Sequence, residues 1–147
     1  MAARIVLTLV GAAGLIIGAF MEWAPGTTGA RGSKLIGVDL TGRALVQTTF
    51  RDSNSFVSTV GFGMIVLGLL AIVGLAFRSG WLTRLVGAVG VAGFVLFMIE
   101  VYRANLSATD VGAGAWMCLG GAVVALIAGF LGTRPAAVAP TAPTLAP

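Results

Sequence analysis

Ile5-Val-Leu-Thr-Leu-Val-Gly-Ala-Ala-Gly-Leu-Ile-Ile-Gly-Ala-Phe-Met-Glu22-Trp23 is free of charge until Glu22. A stretch of about 17 apolar residues is near the lower limit for crossing ~30 Å of hydrocarbon at 1.5 Å per residue. Gly11, Gly14, Gly18 and Glu22 follow one another at spacings of 3, 4 and 4. On a helix they fall within roughly 80° of each other. The spacing predicts a helix with one face almost bare of side chains, and that face ends in a carboxylate. In lipid, where packing drives helix association, such a face admits a neighbouring helix closely. A carboxylate on it is expected to face a partner rather than acyl chains. A cleavable leader is disfavoured, because no Ala-x-Ala site closes the run and Pro25 follows directly.

Three further apolar runs share this character. Spans are expected at about 5–22, 56–77, 82–102 and 111–132, within one membrane domain over 1–135. The chain of 147 residues is 58% hydrophobic and 10% charged, with mean hydropathy +1.03. Soluble domains carry about 25% charged residues. The fold class expected is therefore all-α, an integral membrane four-helix bundle. An outer loop covers 23–55. An uncharged Ala/Pro tail over 136–147 reads as disordered.

The loop admits two readings, short strands flanking Thr41-Gly42 or a short helix capped by Asp39, and a partly ordered loop carrying one such short helical or hairpin piece is expected. Asp52-Ser-Asn-Ser55 is a natural cap region for the second span. Leu9-Val-Gly-Ala-Ala-Gly14 echoes Leu85-Val-Gly-Ala-Val-Gly90, and Phe20-Met-Glu22 echoes Phe97-Met-Ile-Glu100. Two parallel helical-hairpin repeats would produce this echo; so would chance matching of Gly/Ala/Val-rich text.

Nine Lys/Arg against five Asp/Glu give a net charge of +4. No basic patch is interleaved with aromatic residues, so no nucleic-acid partner is expected. Cys118 is the single cysteine and there is no histidine. His-ligated metal or haem and Ser-His catalysis are thereby excluded, and no cofactor, metal or enzymatic activity is expected. Arginine outnumbers lysine eight to one, a bias that suggests a GC-rich bacterial genome. Arg4, Arg78, Arg84 and Arg134 each lie within a few residues of a span end, which places both termini in the cytoplasm of a bacterial inner-membrane protein.

Glu22, Glu100 and Arg103 form the candidate polar cluster. Glu100 and Arg103 stand at i, i+3 and are placed to pair. Two roles are open: an ordinary interfacial pair, or a cation or proton site at one mouth of the bundle. Gly11, Gly14, Gly18, Gly93, Gly121, Ala125 and Gly129 are candidates for close helix packing. Trp23, Trp81 and Tyr102 are expected at membrane interfaces.

Four motifs carry a resemblance: Glu22-Trp23-x-Pro25, Gly37-Val-Asp-Leu-Thr-Gly42, Gly80-Trp-Leu-Thr-Arg84 and Gly114-x-Trp116. With them the chain resembles, over about 5–135, a group of small, uncharacterised four-span proteins of actinobacteria. Some members are labelled sugar:proton symporter-like, which implies transport without naming a binding residue. Small multidrug transporters, claudins and fluoride channels do not fit. Glu22 ends its run, the outer loop lacks cysteines, and no polar pore positions are visible. The function expected is non-enzymatic: a structural, accessory or partner-binding membrane protein acting through its outer loop. The partners expected are the lipid bilayer and another membrane protein or a second copy. The alternative is a small oligomeric secondary transporter or channel using Glu22 and Glu100.

Overall fold

The computed structural model describes residues 2–25, 34–47, 50, 53–77 and 80–131. The tail over 136–147, Arg31, Arg51, Asp52, Arg78 and Arg134 lie outside the described residues. Four helices dominate: α1 (Ala2–Ala19), α2 (Val60–Ala76), α3 (Gly80–Arg103) and α4 (Ala113–Phe130). Helices α1, α3 and α4 are long and apolar enough to cross a membrane, and α2 is an apolar helix of 17 residues. Each of the four expected apolar runs overlaps one of these helices.

Helix α1 ends sooner than its apolar run suggests. The amides of Phe20 and Met21 bond back three residues, to the Ile17 and Gly18 carbonyls, which tightens the last turn. Pro25 then favours an extended residue before it. The strand β1 (Glu22–Pro25) forms and pairs antiparallel with β2 (Lys34–Ile36). Glu22 is therefore not on the glycine face of α1, which corrects the helical reading of that spacing. The register shifts between Glu22 and Ala24. This bulge breaks the in-out alternation of a strand, so Trp23 and Ala24 are both buried while Glu22 is exposed.

Short hairpin and helical pieces do form in the loop, but not at the positions expected. The second strand is Lys34–Ile36, its partner lies upstream, and a 3₁₀ turn occupies Gly42–Leu45. The cap of α2 is Thr59, not the 52–55 stretch. Its Oγ1 accepts from the Phe62 amide at 3.2 Å and donates to the Phe56 carbonyl at 2.7 Å. Thr41 bridges to Thr59, and the Val60 and Gly61 amides donate to the Leu40 and Gly37 carbonyls. The loop is thus bonded onto the first turn of α2.

Helix α4 packs between α1 and α3, and α2 touches α1 and α3. The α1–α4 contact is made backbone to backbone. A Cβ on Gly11 would fall 2.8 Å from the Ala125 nitrogen and the Gly121 oxygen, and one on Gly14 2.9 Å from the Gly121 Cα. One on Gly18 would meet the Cys118 sulfur at 2.6 Å. On the other flank, Gly87 lies against Leu126 and Gly90 against Ala122. The echoed segments therefore grip the same helix from two sides. A two-fold relation between hairpins would send Gly87 and Gly90 to α2 instead, so the two halves are not equivalent in these contacts.

The α3–α4 connection is short and bonded throughout. Asn105 adopts φ 56°, a left-handed conformation that Asn tolerates better than most residues. The Leu106 amide reaches the Val101 carbonyl and the Asn105 amide that of Tyr102, the Schellman pattern that satisfies orphan helix carbonyls. Ser107 and Asp110 then close a capping box, with the Ser107 amide and hydroxyl each 2.8 Å from Asp110 Oδ2.

Candidate functional site

A cap over one end of the helices is built on Trp23. Its indole nitrogen donates to the Gly18 carbonyl at 2.8 Å, which the Met21 amide also reaches at 3.3 Å. The ring stands edge-on to Phe97 of α3, with centroids 5.2 Å apart, and Phe97 meets Phe50 at 6.1 Å in the same manner. Trp23 was expected at the membrane interface, yet it is fully buried. Trp81 and Tyr102 are exposed. Glycines make room for the cap. Gly112 lies against the Glu22 and Trp23 backbone and donates its amide to the Trp23 carbonyl at 2.9 Å; Gly37 abuts the Trp23 indole. The sequence signal missed was Trp23 following a helix and preceding a proline, with glycines available to accept its bulk.

Glu100 lies one turn beyond Phe97 on α3. It is 4% exposed, and its Oε1 accepts from Arg103 Nη1 at 2.8 Å. The Arg103 side chain is 65% exposed. The pair expected at i, i+3 is present, with the acid inside and the base outside. Glu22 occupies a different setting. It is exposed on β1 and lines a cavity of about 370 Å³ with Phe20, Met21, Ile36 and Ala113. The three residues expected to cluster are therefore divided between an ion pair on α3, with only its acid buried, and an exposed carboxylate on β1.

The packing residues divide as well. Gly11, Gly14, Gly18, Gly121 and Ala125 all serve the α1–α4 seam, whereas Gly129 lies against the backbone of Arg84 in α3, and a Cβ on Gly93 would meet the Met64 Cε at 3.5 Å. Arg84 also donates from Nε to the Gly129 carbonyl at 3.0 Å and covers the Phe130 ring at 4.5 Å. A cation is favourable at a helix C-terminus. Cys118 is buried, its sulfur 3.5 Å from the Leu15 carbonyl.

Among the described residues, the buried polar side chains are Thr8, Thr59, Thr83 and Glu100. Each lies within two turns or so of a helix end. The middle is apolar, with Ala12, Gly68, Gly90, Phe94 and Ala122 buried. No group of three or more acidic or cysteine side chains suited to a metal occurs among the described residues.

A second cavity, about 700 Å³, runs along the outside of the α1–α4 seam. Ala13, Gly14 and Ile17 line one wall, and Trp116, Met117 and Gly120 the other. Trp116 leans on Phe94, with centroids 5.1 Å apart. Ala113 belongs to both cavities, so the groove opens at its upper end toward Glu22.

Comparison with protein-family models, curated proteins and solved structures finds no match to this chain.

Proposed function

We propose that the chain is a non-enzymatic integral membrane protein, a four-helix bundle of the bacterial inner membrane with both termini in the cytoplasm. Its task in this reading is to hold a folded outer cap for a partner protein. The observation that carries the reading is the way the cap is fixed. The Trp23–Phe97–Phe50 stack and amide bonds from Gly37, Val60, Gly61 and Gly112 tie it to the helix ends. Exposed Val46, Phe56 and Val57 meanwhile remain on its surface. Rigid presentation of apolar side chains at one end of an apolar helical body suits recognition. The glycine-closed seams and the apolar middle support the same reading, since a polar solute crossing between the helices would need polar groups along its path.

The test is photocrosslinking in cells. A benzophenone amino acid replaces Val46 or Val57 on the cap, and Trp81 at the opposite end serves as control. One dominant adduct from both cap positions, absent from Trp81, supports the reading. Equal labelling at the three positions would overturn it.

The burial of Glu100 favours a second reading, a small oligomeric secondary transporter or channel using Glu22 and Glu100. That reading requires proton-coupled flux in liposomes that Glu100→Gln abolishes. The labelled resemblance to sugar:proton symporter-like proteins points the same way, but the resemblance names no binding residue.

A further inference from the structure

We infer that the α1–α4 groove holds one acyl chain of a membrane lipid whose head group carries a primary ammonium, with Glu22 receiving that ammonium. The inference rests on the reading that the helices lie in a bilayer. The length of the groove identifies the occupant. From Ala113 to Val124 on α4 it extends about 16 Å at 1.5 Å per residue, and on α1 it runs between Val10 and Ile17. That is roughly half of a ~30 Å hydrocarbon core, the depth of one leaflet. A second helix docking here would lie against the whole seam, whereas the groove ends midway along both helices. Its walls are apolar, and the α4 wall is left open at Gly120, where an added Cβ would meet nothing within 4 Å.

Charge complementarity identifies the head group. The groove is apolar along its length and leads, through Ala113, into the cavity lined by Glu22. In a leaflet-deep groove, that end stands where head groups lie. A carboxylate offers about four acceptor positions on two oxygens, so Glu22 can take an ammonium alongside a protein neighbour. It would repel a head group that offers only anionic oxygen.

Native mass spectrometry of the full chain tests this, with phosphatidylethanolamine and phosphatidylglycerol of identical chains as the probes. The wild type is expected to retain one lipid through delipidation, with ethanolamine preferred about threefold to fivefold, the scale of one partly exposed ion pair. Glu22→Gln should bring the two lipids to parity. Gly120→Leu, whose side chain fills the groove, should lose both, while Gly63→Leu should retain them. Gly63 is the matched control, because a Cβ there also meets open space. Circular dichroism confirms that each variant is folded. Equal retention of both lipids by the wild type, an undiminished preference in Glu22→Gln, or unchanged retention in Gly120→Leu would overturn the inference. So would a doubled mass that Gly120→Leu dissociates, since a second copy would then fill the groove. Extraction of the chain from membranes by alkaline carbonate would instead overturn the bilayer reading itself.

Discussion

The Trp23 indole stands at 71° to the Phe97 ring, 5.2 Å between centroids, and so joins the strand after α1 to the C-terminal third of α3. This contact decides whether the cap is a folded part of the protein or a tether. Trp23→Ala is expected to cost about 3–5 kcal/mol, the range for removing a large buried aromatic, and to release the cap before the helices. Trp23→Phe should cost less, losing mainly the bond to the Gly18 carbonyl and part of the packing. Limited proteolysis in detergent reads the difference. Cleavage should appear in 34–58 for the alanine variant while the helical circular dichroism is kept.

The seam between α1 and α4 leaves no room for a side chain at Gly121. A Cβ on Gly121 would approach the Gly11 oxygen at 2.7 Å and the Leu15 nitrogen at 2.8 Å, both backbone atoms that cannot rotate aside. Gly121→Ala should therefore force the helices apart and cost about 1–3 kcal/mol, the scale of overpacking. Gly63→Ala, where the added methyl meets open space, should be neutral or slightly stabilising, since alanine is the better helix former. Thermal unfolding of the two variants in one detergent checks the contrast.

Glu100 and Arg103 predict a non-additive pair. Removing Arg103 leaves a buried carboxylate without its partner. Because the guanidinium is largely exposed, Arg103→Ala should cost about 1–2 kcal/mol, above a surface pair and below a broken buried one. Glu100→Gln/Arg103→Ala should recover most of that loss, since no charge then remains inside. A double-mutant cycle by chemical unfolding measures the coupling. Simple addition of the two single effects would mean that the pair contributes nothing.

The helices were legible because apolar runs of this length have few alternatives, and the glycine spacing on α1 named its partner face correctly. The fate of Glu22 was not legible. Its spacing from Gly18 fits a helix, but the helix stops at Ala19, because Pro25 and the strand Lys34–Ile36 offer the backbone another set of bonds. That choice depends on β2, a dozen residues downstream, and periodicity cannot register it. Trp23 shows the same limit. Tryptophan at a span end suits an interface, and only the room left by Gly37 and Gly112, together with the register shift in β1, turns it inward. Gly129 illustrates a third case. It lies in one small-residue series with Gly121 and Ala125, yet it serves α3 while they serve α1. A helix with neighbours on two flanks divides its small residues between them.

Asp110 carries the pH prediction. Its carboxyl lies below the ordinary value of 3.8, first because the Ser107 amide donates to it and second because the Ser107 hydroxyl does. Bonds to the charged form favour that form. A depressed carboxylate contributes stability that is complete above the unfolded value and is lost as pH falls through the folded one. The capping box should therefore be intact at neutral pH and open only below about pH 3.8, ahead of α4. Titration of the Asp110 carboxyl by NMR should give a midpoint below 3.8. Ser107→Ala should raise that midpoint only part of the way, because the larger contribution comes from the backbone amide, which the substitution keeps. A midpoint in Ser107→Ala fully restored to the ordinary value would mean that the hydroxyl, rather than the amide, holds the box closed.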